Sequence, residues 1–198
     1  MKVIATHFGD HDISWLLEYS DGDYVLYDRS NTGLPNAIKR ENIGDADYDK
    51  LSYIVDNYEN LPDMFLLTKS NLFKFITLEE WDILKYKTEF TPILTQYHKT
   101  YEPICHYENG VYCELNNSWY LHSVPAAHFN SYNEFASAFN LPNPDYLKFA
   151  PGGSYIVTRE RIHRYPKVFY ELLRDLLPWS IKPGEAQIIE RTYYQLWS

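Results

Sequence analysis

The chain has little cysteine, little positive charge and no long apolar run, and each shortage removes a class of protein. Cys105 and Cys113 are its two cysteines. That is too few for a disulfide-stapled scaffold, and neither has a CxxC or zinc-ligand spacing. Lys and Arg number 18 against 27 Asp and Glu, a formal net charge of −9. A nucleic-acid polymer needs a basic face for phosphate neutralisation, so that partner is excluded, whereas a single nucleotide needs only a few local cations. No apolar stretch approaches a membrane span, and the opening MKVIATHFGDHD lacks both the charged-then-apolar layout of a signal peptide and a cleavage site. The expectation is a soluble cytoplasmic protein. The chain also lacks a Gly-x-Ser-x-Gly elbow, a P-loop and a dinucleotide fingerprint, which removes the commonest hydrolase, NTPase and dehydrogenase readings.

What is present fits one domain. The 198 residues are 45% hydrophobic and 23% charged, ordinary globular usage, and no linker or repeat divides them. Aromatics reach 17%, with 19 Tyr and 5 Trp. Their flat apolar faces and polar edges suit both packing and stacking on sugars or bases.

Periodicity gives a β-α-β start. Residues 2–8 read as a strand, Ile13, Leu16 and Leu17 as a short helical stripe, and Tyr24 to Tyr27 as a second strand running into Asp28-Arg29-Ser30-Asn31. After a loop at Gly33 to Asn36, Leu51, Ile54, Val55 and Tyr58 have helical spacing. Met64 to Leu67 is a continuous apolar run, as in a strand covered on both faces, and Thr68-Lys69-Ser70-Asn71 follows at its carboxyl end.

The second half is less regular. Thr77 to Glu80 has the pattern of a capping box. The 104–122 region reads as a hairpin or meander. With Asn109-Gly110 as its turn, Glu108 pairs with Val111, Tyr107 with Tyr112 and His106 with Cys113, so Cys105 faces away from Cys113 and a disulfide is disfavoured. Helices are expected over 131–139, around Val168 to Leu176 and over 185–197, with a strand at Tyr155 to Val157.

In this order the pieces resemble the GT-A fold of glycosyltransferases, an α/β architecture with a mixed, mainly parallel central sheet flanked by helices in a single domain. The segments RENIG and DNYENLPD before an apolar strand also resemble an uncharacterised glycosyltransferase-like family of fungi and large DNA viruses, including small soluble enzymes of algal viruses. The resemblance implies a nucleotide-sugar half over 1–75 and an acceptor and catalytic half over 76–198. It implies transfer of a sugar from a UDP- or GDP-sugar to a glycan or protein-linked glycan hydroxyl, with inversion. The alternative is a catalytically inactive protein that binds nucleotide sugars or glycans. A nucleotidyltransferase would want a basic phosphate loop after the first strand, where Gly9-Asp10-His11-Asp12 is acidic.

Carried onto this chain, the resemblance places Thr6, His7 and Phe8 in the nucleotide-contacting turn, Asp28 with Ser30 at the base or ribose, and Asn42 and Gly44 at the loop opening a helix. The family's Asp-x-Asp, which holds Mn2+ or Mg2+ against the diphosphate, has Lys69, Ser70 and Asn71 near its place. An ammonium can take over the metal's role, so Lys69 is the expected diphosphate cation, joined by Arg191. Asp45 and Asp47 form a literal Asp-x-Asp but read as first-turn helix charges. Gly152, Gly153, Ser154 and Arg159 would approach the sugar, and Glu185 would be the general base, with Asp145 as the alternative. His7, His106, His122, His128 and His163 show no metal-site spacing.

Overall fold

The computed structural model describes residues 1–30, 32–94, 98–116 and 124–198. Asn31 and His122 lie outside them, as does the far end of the 104–122 reading. In chain order the strands are Lys2–His7 (β1), Tyr24–Asp28 (β2), Ala37–Lys39 (β3), Met64–Lys69 (β4), Thr91–Pro92 (β5), Cys105–Glu108 (β6), Val111–Leu115 (β7), Tyr146–Phe149 (β8) and Tyr155–Thr158 (β9). The helices are Ser14–Tyr19 (α1), Asp45–Asp56 (α2), Leu78–Leu84 (α3), Tyr132–Ala138 (α4), Arg159–Ile162 (α5), Lys167–Asp175 (α6) and Gly184–Trp197 (α7).

The main sheet has the order β3-β2-β1-β4-β9-β5. β1, β2, β3 and β4 pair in parallel, and β9 runs against β4 and β5. The architecture is therefore mixed α/β with a mainly parallel sheet. Alternation along the strands feeds two cores. Ile4, Phe65, Leu67, Tyr155 and Val157 face the core built with α2, α4, α6 and α7. Val3, Ala5, Leu66 and Ile156 face the one built with α1 and α3. At roughly 25 cal/mol per Å2 of apolar surface, burial of both faces is the main stabilising term.

β6, β7 and β8 form a separate antiparallel sheet. Its hairpin has the register expected from Asn109-Gly110, and both residues take positive φ, 51° and 78°, as a primed two-residue turn requires. Cys105 and Cys113 are buried free thiols. The capping box forms: Thr77 accepts from the Glu80 amide while Glu80 accepts from the Thr77 amide. Among the described residues, no helix is long and apolar enough to cross a membrane.

Connectivity determines where a ligand fits. From β1 the chain moves through α1 to β2 and then β3, and from β3 it returns through α2 to β4 on the other flank of β1. Right-handed crossovers in opposite directions put α1 and α2 on opposite faces of the sheet. The carboxyl ends of β1 and β4 then splay around a crevice, the usual ligand position in open α/β sheets.

Candidate functional site

A cavity of about 300 Å3 occupies that crevice. Thr6 and Phe8 reach it from the end of β1, Lys69, Ser70 and Asn71 from the end of β4, Asn42 from the loop before α2, and Asp45 from the first residue of that helix. Arg29 enters from the end of β2, His11 from the loop before α1, and Ile181 and Lys182 from the turn before α7. Phe8 and Ile181 are 57% and 61% exposed, so two apolar side chains flank a polar floor.

Arg29 is the most constrained of these groups. Its Nε donates to Asp49 Oδ2 at 2.6 Å, with both side chains almost fully buried, and Nη1 donates to the Ile43 carbonyl at 2.6 Å. Nη2 is buried without a hydrogen-bond partner. Burial pushes the Asp49 carboxyl up against the lowering pull of Arg29 and the Thr6 hydroxyl. Asp49 Oδ1 is likewise buried without a partner, so the anchored pair keeps one donor and one acceptor unspent.

Lys69 is half-buried, with Nζ 3.8 Å from Asp45 Oδ1. Burial works to lower the Lys69 ammonium, but Asp45, Glu190 and Asp47 outweigh it and raise the pKa, while Arg29 opposes them. Burial likewise works to raise the Asp45 carboxyl, and Lys69, the Ala46 amide, Lys50 and Lys182 hold it below the usual range. Asp45 has a φ of 52°, a left-handed conformation that Asp and Asn tolerate better than most residues, and its Oδ1 accepts from the Ala46 amide at 2.5 Å. The lining carries Arg29, Lys69 and Lys182 against one carboxylate, or two when Asp49 behind Arg29 is counted. In a chain of net charge −9, that local excess favours an anionic ligand.

Other expected residues reach the neighbourhood without lining this cavity. Asp28 is buried and engaged by its own turn, accepting from the Ser30 amide at 2.9 Å, Ser30 Oγ at 2.5 Å and Thr32 Oγ1 at 3.3 Å. Burial acts to raise its carboxyl, and the bonds from Ser30 and Thr32 bring it below the ordinary range. His7 Nδ1 lies 3.0 Å from Ser70 Oγ in the interior. Gly44 takes φ 72° to start α2, and an added Cβ would meet Tyr48 Cβ at 2.6 Å, so the glycine serves the helix start.

Of the glycine pair, Gly152 borders a narrow side crevice, where it, Pro151 and Ser154 meet Lys69 and Asn71, and Gly153 follows it in the same turn. Two buried charges grip it. Glu190 Oε1 accepts from the Gly152 amide at 2.6 Å, and Lys50 Nζ donates to the Gly153 carbonyl at 2.7 Å and to Asp47 at 3.1 Å. A Cβ on Gly153 would lie 2.5 Å from Lys50 Nζ, and φ is +67°. Burial raises the Glu190 carboxyl, opposed by Lys69 and Arg191.

The remaining assignments fall elsewhere. Glu185 is fully buried and accepts from the Ala127 amide at 2.8 Å, the His128 amide at 2.6 Å and Trp179 Nε1 at 3.2 Å. These bonds fasten the 125–128 loop to α7, which leaves the carboxylate no approach to the cavity. Asp145 is exposed at the start of β8, one strand length from the glycine pair. Arg159 pairs with Asp63 just before β4, and the strand puts it about 20 Å from Lys69. Arg191 is buried against Glu114 of β7, with Nε and Nη2 at 2.7 and 2.6 Å from Oε2, and joins the small sheet to α7.

His11, Arg29, Asp45, Ala46, Ile181 and Lys182 line the cavity without a ligand role expected from sequence. Arg29 follows an acidic strand end, a usable local signal. Lys182 had none, because its turn meets α2 across more than 130 positions, where the Gly44 and Asp45 amides donate to the Ser180 and Ile181 carbonyls at 2.7 and 3.0 Å. Among the described residues, no group of three His, Cys, Asp or Glu gathers for a metal. With Asp45 as the one carboxylate lining the cavity, the described donors do not fit a carboxylate-held divalent cation.

A family model described as a protein of unknown function (DUF3431) matches residues 3–198, and the chain belongs to that family. No curated protein and no solved structure matches.

Proposed function

We propose that this chain is a glycosyltransferase that takes a nucleotide-diphosphate sugar into the cavity between β1 and β4 and passes the sugar to a hydroxyl acceptor. The observation that carries the reading is the pair of cations there: Arg29, anchored by Asp49 with a donor unspent, and Lys69, whose raised pKa keeps it charged. Phe8 and Ile181 supply apolar surface for the nucleoside, and Lys182 adds a third positive charge. In the reaction an acceptor oxygen attacks the anomeric carbon and the bond to the outer phosphate oxygen breaks. The nucleoside diphosphate leaves with an additional negative charge that Lys69 and Arg29 stabilise. Asp45, the carboxylate at the cavity, takes the acceptor proton and releases it to water.

Titration with UDP and GDP, followed by nucleotide release from UDP- and GDP-sugars with mixed sugar acceptors, tests the reading. Asp45→Asn suits the left-handed backbone; it should keep nucleotide affinity and lose about 100-fold or more in turnover. No binding of either nucleotide would overturn the reading. Binding without turnover by the native chain favours the second reading, a protein that binds the donor and does not transfer it. The engagement of Glu185 by the 125–128 loop supports that second reading.

A further inference from the structure

Beside the first cavity a groove of about 490 Å3 runs between α1 and the single helical turn Leu72–Lys74. Resting on the donor reading, we propose that this groove binds a saccharide ring and holds the hydroxyl acceptor. Its apolar wall is a cluster of three rings. Phe73 lies 5.3 Å from Trp15 and 5.4 Å from Tyr19 between centroids. The Trp15 indole nitrogen donates to the Ser70 carbonyl at 2.7 Å, which ties the cluster to the end of β4. The rim is polar and exposed at Ser14, Glu18 and Lys74.

That combination fits a pyranose, whose C–H face packs on aromatic surface while its hydroxyls need both donors and acceptors. An anion fits poorly, since the lining has two carboxylates, Glu18 and Asp12, against Lys74, whose Nζ lies 3.2 Å from His11 Nδ1. Asp12 is itself engaged by the Ser14 amide and hydroxyl at 2.8 and 2.9 Å. Position supplies the rest of the argument. The groove and the nucleotide cavity share His11, Ser70 and Asn71, so ligands in the two meet at the end of β4. Asn71 also borders the glycine crevice, and its Oδ1 is buried without a hydrogen-bond partner.

Saturation-transfer NMR with the methyl glycosides of glucose, galactose, mannose, xylose, fucose and rhamnose tests the site on the native chain, Tyr19→Ala and Lys74→Glu. At least one glycoside should receive transfer, and both variants should weaken it by about tenfold, with UDP and GDP affinities unchanged in Tyr19→Ala. Lys74 is exposed, so its variant carries the test if Tyr19→Ala does not fold. Transfer to none of the glycosides, or transfer that a folded variant leaves unchanged, overturns the inference. Nucleotide binding without glycoside transfer sinks the saccharide site and leaves the donor reading. Glycoside transfer without nucleotide binding sinks the donor reading and the acceptor role, and leaves the saccharide site.

Discussion

Removing the Lys69 ammonium separates a phosphate cation from an ordinary lysine. Its side chain is 38% exposed, so the full strength of a buried charge pair does not apply. A charge-assisted hydrogen bond to phosphate contributes about 1.5–3 kcal/mol. Taking the lower part of that range for the exposure gives about 1.5–2 kcal/mol, or roughly 10- to 30-fold in Kd. The cost to the fold is smaller. The 3.8 Å pair with Asp45 contributes at most about 1 kcal/mol to stability. Lys69→Ala should therefore weaken UDP or GDP binding by roughly 10- to 30-fold in isothermal titration and leave the urea midpoint nearly unchanged. Arg29 is a poor first target, because its removal strands the buried Asp49 carboxylate at about 3–5 kcal/mol. In Lys69→Ala the freed Asp45 adds repulsion, and a cycle with Asp45→Asn separates that contribution. A Kd for Lys69→Ala within about threefold of the native value would refute the assignment.

Glu185→Ala leaves two backbone amides and the Trp179 indole without their acceptor, so it should lower stability by about 2–4 kcal/mol in urea unfolding with nucleotide affinity retained. Unchanged stability with abolished turnover would restore the general-base role. Gly153→Ala has to adopt a positive φ and displace Lys50, so a loss of about 1–3 kcal/mol is expected, and a neutral result would show that the grip on the turn is dispensable. Lys69 is raised and the outer phosphate is ionised above about pH 6, so nucleotide affinity should stay level from about pH 7 to 9, and a steady fall across that window would contradict the Lys69 environment. In stability, the raised Glu190 and Asp49 carboxyls favour the folded state as pH drops through their folded values. The depressed Asp45 stabilises above its unfolded pKa and loses that contribution as pH drops through its folded one. The urea midpoint should be at least as high at pH 5 as at pH 7 and should decline below about pH 4, and a decline already complete by pH 5 would contradict the raised pair.

Local chemistry made much of the fold legible. Asn109-Gly110 specified a primed turn and with it the register of β6 and β7, and Thr77 with Glu80 specified a cap, since each depends on neighbours a few residues apart. The site was legible at two strand ends and at the Asn42 loop before α2. Lys69, Ser70 and Asn71 follow from finding β4, because ligands gather at such carboxyl ends, and Thr6, Phe8 and Asn42 from the resemblance. Glu185 and Arg191 misled for a physical reason: a charged residue on an amphipathic helix looks the same in sequence whether it faces a ligand or a buried partner.

By itself, then, the sequence determined the α/β class, the two parallel strands at the crevice and the lysine at the end of β4, because hydrophobic period and turn residues act over short spans. Only the tertiary structure decided that Arg29 is anchored by Asp49 with a donor left over, that Lys182 comes beside Asp45, and that Glu114 and the 125–128 loop take Arg191 and Glu185 away from the cavity. Those pairings join residues that lie from 20 to 137 positions apart, a proximity that packing creates and no local pattern encodes.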